Sequence, residues 1–136
     1  YRRALLRLAA DATGAGCLPA PDSWATRHNP ACGDRITVEL ALTDGRIAGL
    51  AHATQACLLA QASASLLAGA AQGLDADGLA ALAEKVRTML KGGAVLPGYE
   101  AFDGAAAHPG RHRCVLLPIE AALAAFQDAE PGAERA

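Results

Sequence analysis

Three cysteines and one aspartate are the residues of this chain best suited to chemistry. Asn29-Pro30-Ala31-Cys32-Gly33-Asp34 sets a thiol and a carboxylate two positions apart around a glycine. Gly33 lets the backbone bend where a side chain would resist, and positions i and i+2 share a face once a strand begins. Cys57 and Cys114 lie far off, each at the start of an apolar run with helical spacing. At a helix N-terminus, free N–H groups and the dipole favour a thiolate. Cys32, Asp34, Cys57 and Cys114 together make a four-ligand set, the number that tetrahedral zinc takes. Three thiolates and a carboxylate give such a centre a net negative charge. Arg35, Arg111 and Arg113 are therefore candidate neighbouring cations, the last two just ahead of Cys114.

The remaining reactive side chains are weaker candidates. Cys17 sits in a loop between Gly16 and Leu18, with no partner at ligand spacing, and reads as incidental. His112, two residues before Cys114, could reach a metal, whereas His28 and His52 fall at strand ends where a surface histidine is the default. Ser63 and Ser65 have no His–Asp partner in the pattern, which argues against a nucleophilic serine. Ser63 reads as a small helix-packing residue. No glycine-rich phosphate loop is present.

The elements that must carry the candidate ligands follow from periodicity. Tyr1 to about Ala12 reads as an amphipathic helix, followed by a Gly- and Pro-rich loop over Thr13–Pro21. Trp24–His28 is a short strand. Arg35–Leu42 alternates cleanly, with Ile36, Val38, Leu40 and Leu42 on one face. Thr43-Asp44-Gly45 is a hairpin turn, and Arg46–Ala53 returns as a third strand with Ile47 inward. From Cys57 the period becomes helical through Leu59, Ala62, Leu66 and Ala70, closing at Gly73. Asp75 or Asp77 caps a further helix whose stripe is Leu79, Leu82, Val86, Met89 and Leu90. Residues 92–110 read as a long inserted loop of the kind that is functional or mobile. A last helix is expected from about Cys114 to Gln127, with Pro118 tolerated in its first turn. The tail, 128–136, is polar. The fold class is α+β: a small three-stranded antiparallel sheet, one face wet, packed against several helices in one domain over 1–136.

Composition sets the outer limits. The chain has 136 residues, enough for one core; apolar residues are 52% but aromatics only 4%, so that core must rest on aliphatic side chains. A net charge of −2 provides no basic footprint for nucleic acid. No apolar run approaches the roughly 18 residues of a membrane span, and the opening run breaks at Asp11, too early for a secretory signal. These features point to a cytoplasmic address, where four cysteines favour metal or catalytic use over disulfides.

Three segments carry a resemblance to a known family. Asn29-Pro30-Ala31-Cys32-Gly33-Asp34-Arg35-Ile36, then Ala56-Cys57-Leu58-Leu59-Ala60-Gln61-Ala62-Ser63-Ala64-Ser65, then Arg111-His112-Arg113-Cys114 resemble the U-type iron–sulfur cluster assembly proteins. That family includes IscU and NifU-type scaffolds and SufU-type zinc sulfur acceptors. The long segment between Cys57 and Cys114 is similar to the SufU-type branch. So are Arg113, where scaffold members place a histidine, and Arg111, three residues before the cysteine. The resemblance implies zinc on Cys32, Asp34, Cys57 and Cys114, a cysteine desulfurase as partner, and Cys32 as persulfide acceptor. Downstream iron–sulfur assembly proteins would then receive the sulfur. The alternatives are a scaffold that builds a [2Fe–2S] cluster on the same ligands, and a structural zinc module used for docking.

Overall fold

In a computed structural model the described residues are 2–29, 33–102 and 109–129. The element order is α1 (Arg2–Asp11), β1 (Ser23–Asn29), β2 (Asp34–Thr43), β3 (Arg46–Gln55), α2 (Leu58–Ala70), α3 (Ala76–Leu90) and α4 (His112–Ala129), the last preceded by a 3-10 turn at Pro109–Arg111. The strands form one antiparallel sheet in the order β1-β2-β3. Alternation along β2 decides its faces: Ile36, Val38 and Leu40 are fully buried against the helices, while Arg35, Thr37 and Glu39 point to the other side. Asp44 and Gly45 both take left-handed φ, 53° and 75°, the pair that a type I′ hairpin needs. A bulge beside Ala41 and Leu42 adds one residue to β3. This is an α+β fold with one helix-covered sheet face.

Helix boundaries refine three expectations. Asp75 is the N-cap of α3, its carboxylate accepting from the Gly78 N–H at 2.7 Å. Helix α4 starts at His112 rather than at Cys114, so Pro118 lies in the helix interior instead of the first turn. It also extends through Ala129, past the expected start of the tail; residues 130–136 lie outside the described residues. The stretch 92–102, expected to be loop, supplies core: Tyr99 and Phe102 are fully buried, with ring centroids 5.8 Å apart. Two of the chain's five aromatics lie there, and hydropathy spacing within a Gly- and Pro-rich segment carries no sign of their burial. Residues 103–108 of the expected insertion lie outside the described residues.

His52 is the other departure. It is buried rather than at the surface, because the connection after α1 runs along the β3 edge beside it. Its Nε2–H donates to the Thr13 carbonyl at 2.8 Å, and its Nδ1 accepts from the Thr54 hydroxyl at 2.9 Å. The backbone joins in, His52 N–H donating to Gly14 O and Gly16 N–H to His52 O. These bonds occupy backbone groups that an edge strand would otherwise expose.

Candidate metal centre

Asp34 begins β2, directly opposite Asn29 at the end of β1. Between them Gly33 takes φ +75°, a conformation that side chains disfavour, and its N–H closes back onto the Asn29 carbonyl at 2.8 Å. The chain therefore re-enters the sheet with Asp34 turned to the helical side and buried. Cys57 is the N-cap of α2, in extended conformation and solvent-accessible, and Cys114 is the third residue of α4 and buried. One carboxylate links both: Oδ1 accepts the Cys57 backbone N–H at 3.2 Å and Oδ2 accepts the Cys114 thiol at 3.5 Å. The ligand atoms of Asp34, Cys57 and Cys114 all lie within 4.8 Å of one another.

This arrangement has an electrostatic cost that a cation would reverse. Burial pushes the Cys114 thiol well above the ordinary thiol range, and the neighbouring Cys57 and Asp34 push it further in the same direction. A coordinating thiol, by contrast, is deprotonated outright by its metal. Two thiols and one carboxylate, pre-gathered from three elements, are a donor set suited to a divalent ion with affinity for sulfur.

The other sequence candidates divide. Cys32 lies outside the described residues. Arg35 stands on the far face of the sheet, lining a shallow cleft with Thr37, Ala53 and Gln55. The alternation that turns Asp34 and Ile36 inward turns Arg35 away from the centre. Arg111 is exposed in the turn that leads into α4, Arg113 is exposed one residue before Cys114, and His112 is half-buried at the helix start. Among the described residues, the converging ligand atoms are those of Asp34, Cys57 and Cys114. Cys17 is exposed on the loop before β1. Ser63 is more than packing: its hydroxyl donates to the Val115 carbonyl at 2.6 Å. No sequence signal distinguishes that bond from an ordinary buried serine.

Comparison with known proteins gives a consistent picture. A family model described as the NifU-like N-terminal domain matches residues 1–105. A solved structure of the N-terminal part of a nitrogen-fixing NifU-like protein from Brucella abortus superimposes with a TM-score of 0.83 at 31% identity, covering 93% of this chain and 92% of that one. A protein from Fervidobacterium islandicum AW-1, assigned as an iron–sulfur cluster assembly scaffold for the SUF system, has TM-score 0.85 at 18% identity, with 93% and 96% of the two chains covered. A structure described only as a hypothetical protein gives 0.81 at 25% identity, over 93% and 98%. A comparison with curated protein sequences finds no significant match.

Proposed function

The chain belongs to the NifU-like N-terminal domain family, and from that premise we propose that it serves iron–sulfur cluster assembly as a zinc-bound sulfur acceptor, taking persulfide sulfur from a cysteine desulfurase. The observation that carries this reading is the convergence of Asp34, Cys57 and Cys114 from a strand start and two helix starts. Cys32, two residues before Asp34, is the fourth donor. Zinc, when bound, keeps its thiol ligands deprotonated and shielded.

The transfer itself belongs to cysteine chemistry. The Cys32 thiolate attacks the outer sulfur of the desulfurase's cysteine persulfide. The S–S bond to the desulfurase breaks, its cysteine leaves as a thiolate, and Cys32 retains the sulfur as a persulfide, with no net oxidation. Cys32 belongs to the short β1–β2 connection, whereas Cys57 and Cys114 begin helices packed into the core. Cys32 is therefore the ligand whose release requires least repacking. Arg111 stands exposed at the approach to α4, where its charge favours an anionic site or an incoming partner.

The test combines the protein with a cysteine desulfurase, cysteine and a dithiol reductant, with and without zinc, and measures sulfide release. Acceleration by the zinc-loaded protein alone supports the reading; no acceleration refutes it. The same donors suit a [2Fe–2S] cluster carried as cargo, and the Fervidobacterium protein is described as an iron–sulfur cluster assembly scaffold. Metal content after purification without added iron separates the two, zinc for the acceptor and a coloured cluster for the scaffold. We also propose a cytoplasmic address, on the use of cysteines as metal ligands rather than disulfides; separately, among the described residues no helix is long and apolar enough to cross a membrane.

A further inference from the structure

Cys57 and Cys114 sit on different helices, so their separation depends on how α2 and α4 are registered against each other. Part of the buried surface of both helices is alanine, Ala60 and Ala64 of α2 and Ala121, Ala122 and Ala125 of α4, beside larger buried side chains such as Leu59, Leu67, Val115 and Ile119. Alanines present shallow ridges that fix a register less firmly than long side chains. The first turns of α4 also lack one of their own backbone bonds. Pro118 has no N–H, which leaves the Cys114 carbonyl without its i+4 donor, and the proline ring crowds that same carbonyl.

Beside the indirect link through Asp34, a polar bond joins the two helices directly. Ser63 is fully buried, six residues after Cys57, and its Oγ donates to the carbonyl of Val115, the residue following Cys114, at 2.6 Å. A helical serine ordinarily turns its hydroxyl back to its own i−4 carbonyl; here it reaches across 52 positions of sequence instead. Six residues correspond to about 9 Å of helix rise, so the bond anchors α4 less than two turns from the Cys57 end of α2. Apolar contact is non-directional, whereas a short hydrogen bond fixes position.

We propose that Ser63 is a positioning residue for the metal centre, holding the first turn of α4 against α2 and so setting the separation of the Cys57 and Cys114 thiols. Its relevance to sulfur transfer rests on the function proposed above, while its test needs only the two thiols. Ser65 provides the internal control. It lies two residues on, is equally buried, and its Oγ accepts the Thr13 N–H at 3.1 Å, tying α2 to the loop after α1 rather than to α4.

The experiment uses the full chain carrying Cys17→Ser and Cys32→Ser, freed of metal by chelation, and titrates it with phenylarsine oxide. This trivalent arsenical bonds two close thiols at once and releases water, and the adduct is read by intact mass and by competition with a free dithiol. The parent should take up one equivalent. Ser63→Ala should bind it about tenfold more weakly, the scale of one net hydrogen bond, while Ser65→Ala should match the parent even if its melting temperature falls equally. If Ser63→Ala does not fold, Ser63→Thr, which keeps the hydroxyl, must restore both fold and arsenical affinity. Parental affinity in Ser63→Ala, an equal loss in Ser65→Ala, or no bridging in the parent would each overturn the proposal. If this parent takes the arsenical but the chain with all four cysteines intact refuses zinc, the metal reading alone is overturned.

Discussion

Asp34 organises the centre from a single carboxylate, one oxygen on the Cys57 N–H and the other on the Cys114 thiol. Asp34→Ala removes a proposed ligand and both of these acceptors. Zinc affinity, measured by competition with a chromophoric chelator, should fall by about tenfold or more, and sulfur acceptance should fall with it. Affinity equal to the parent would remove Asp34 from the ligand set and make His112 the next candidate. Cys32→Ser, Cys57→Ser and Cys114→Ser should each lower bound zinc and melting temperature. Metal binding can contribute on the order of 10 kcal/mol to small zinc domains; this chain has a core of its own, so its loss should be smaller. Cys17, exposed on its loop, should tolerate serine with neither quantity changed. The acceptor thiol is identified by trapping persulfides with an alkylating agent and mapping them by mass spectrometry, and label confined to Cys57 or Cys114 would exclude Cys32.

The segment after α3 behaves as part of the core for its first half. Leu96 N–H donates to the Met89 sulfur at 3.3 Å, and Tyr99 and Phe102 are fully buried with their rings in contact. Tyr99 carries an anomaly: its hydroxyl is buried with no hydrogen-bond partner among the described residues, and burial pushes its pKa upward. An unpaired buried hydroxyl costs about 1–3 kcal/mol. Tyr99→Phe deletes that group and keeps the ring, so it should raise stability by about 1 kcal/mol in denaturant unfolding. A lower stability would mean that the hydroxyl has a partner in solution. At the other end of α3, Asp75→Ala removes the cap on Gly78 N–H and should cost about 1 kcal/mol.

Across the whole molecule, His52 joins the first helix's connection to the sheet, and it does so as a neutral ring. Its Nε2–H must donate to the Thr13 carbonyl, leaving Nδ1 to accept from Thr54. Burial lowers its pKa below the ordinary value of 6.5, and the bond to Thr13 offsets only part of that. The unfolded chain therefore takes up this proton at a higher pH than the folded one, so the folded state loses stability as pH falls from 6.5 toward the lowered pKa. Above the unfolded value the proton makes no difference. Melting of the metal-free protein should weaken as pH falls below about 6.5, at up to about 1.4 kcal/mol per pH unit, and His52→Gln should flatten that slope. An equal slope in the variant would assign the effect to other groups.

Sequence alone was enough for the sheet and the capped start of α3, because these follow from local regularities. Alternation from Ile36 to Leu42, Asp-Gly at 44–45 and the helical spacing after Cys57 each act within a few residues. Cys57 at a helix start was legible for the same reason. Tertiary structure decided whatever depends on distant partners. It turned Asp34 toward two thiols 23 and 80 positions away, buried His52 beneath a loop from another part of the chain, and drew Tyr99 and Phe102 out of an irregular segment into the core. It also decided which of two similar serines reaches α4: Ser63 and Ser65 differ by two positions, and therefore by about 200° around a helix of 3.6 residues per turn. Periodicity specifies a face but not its neighbour, and the neighbour turns Ser63 into a link between the elements that carry Cys57 and Cys114.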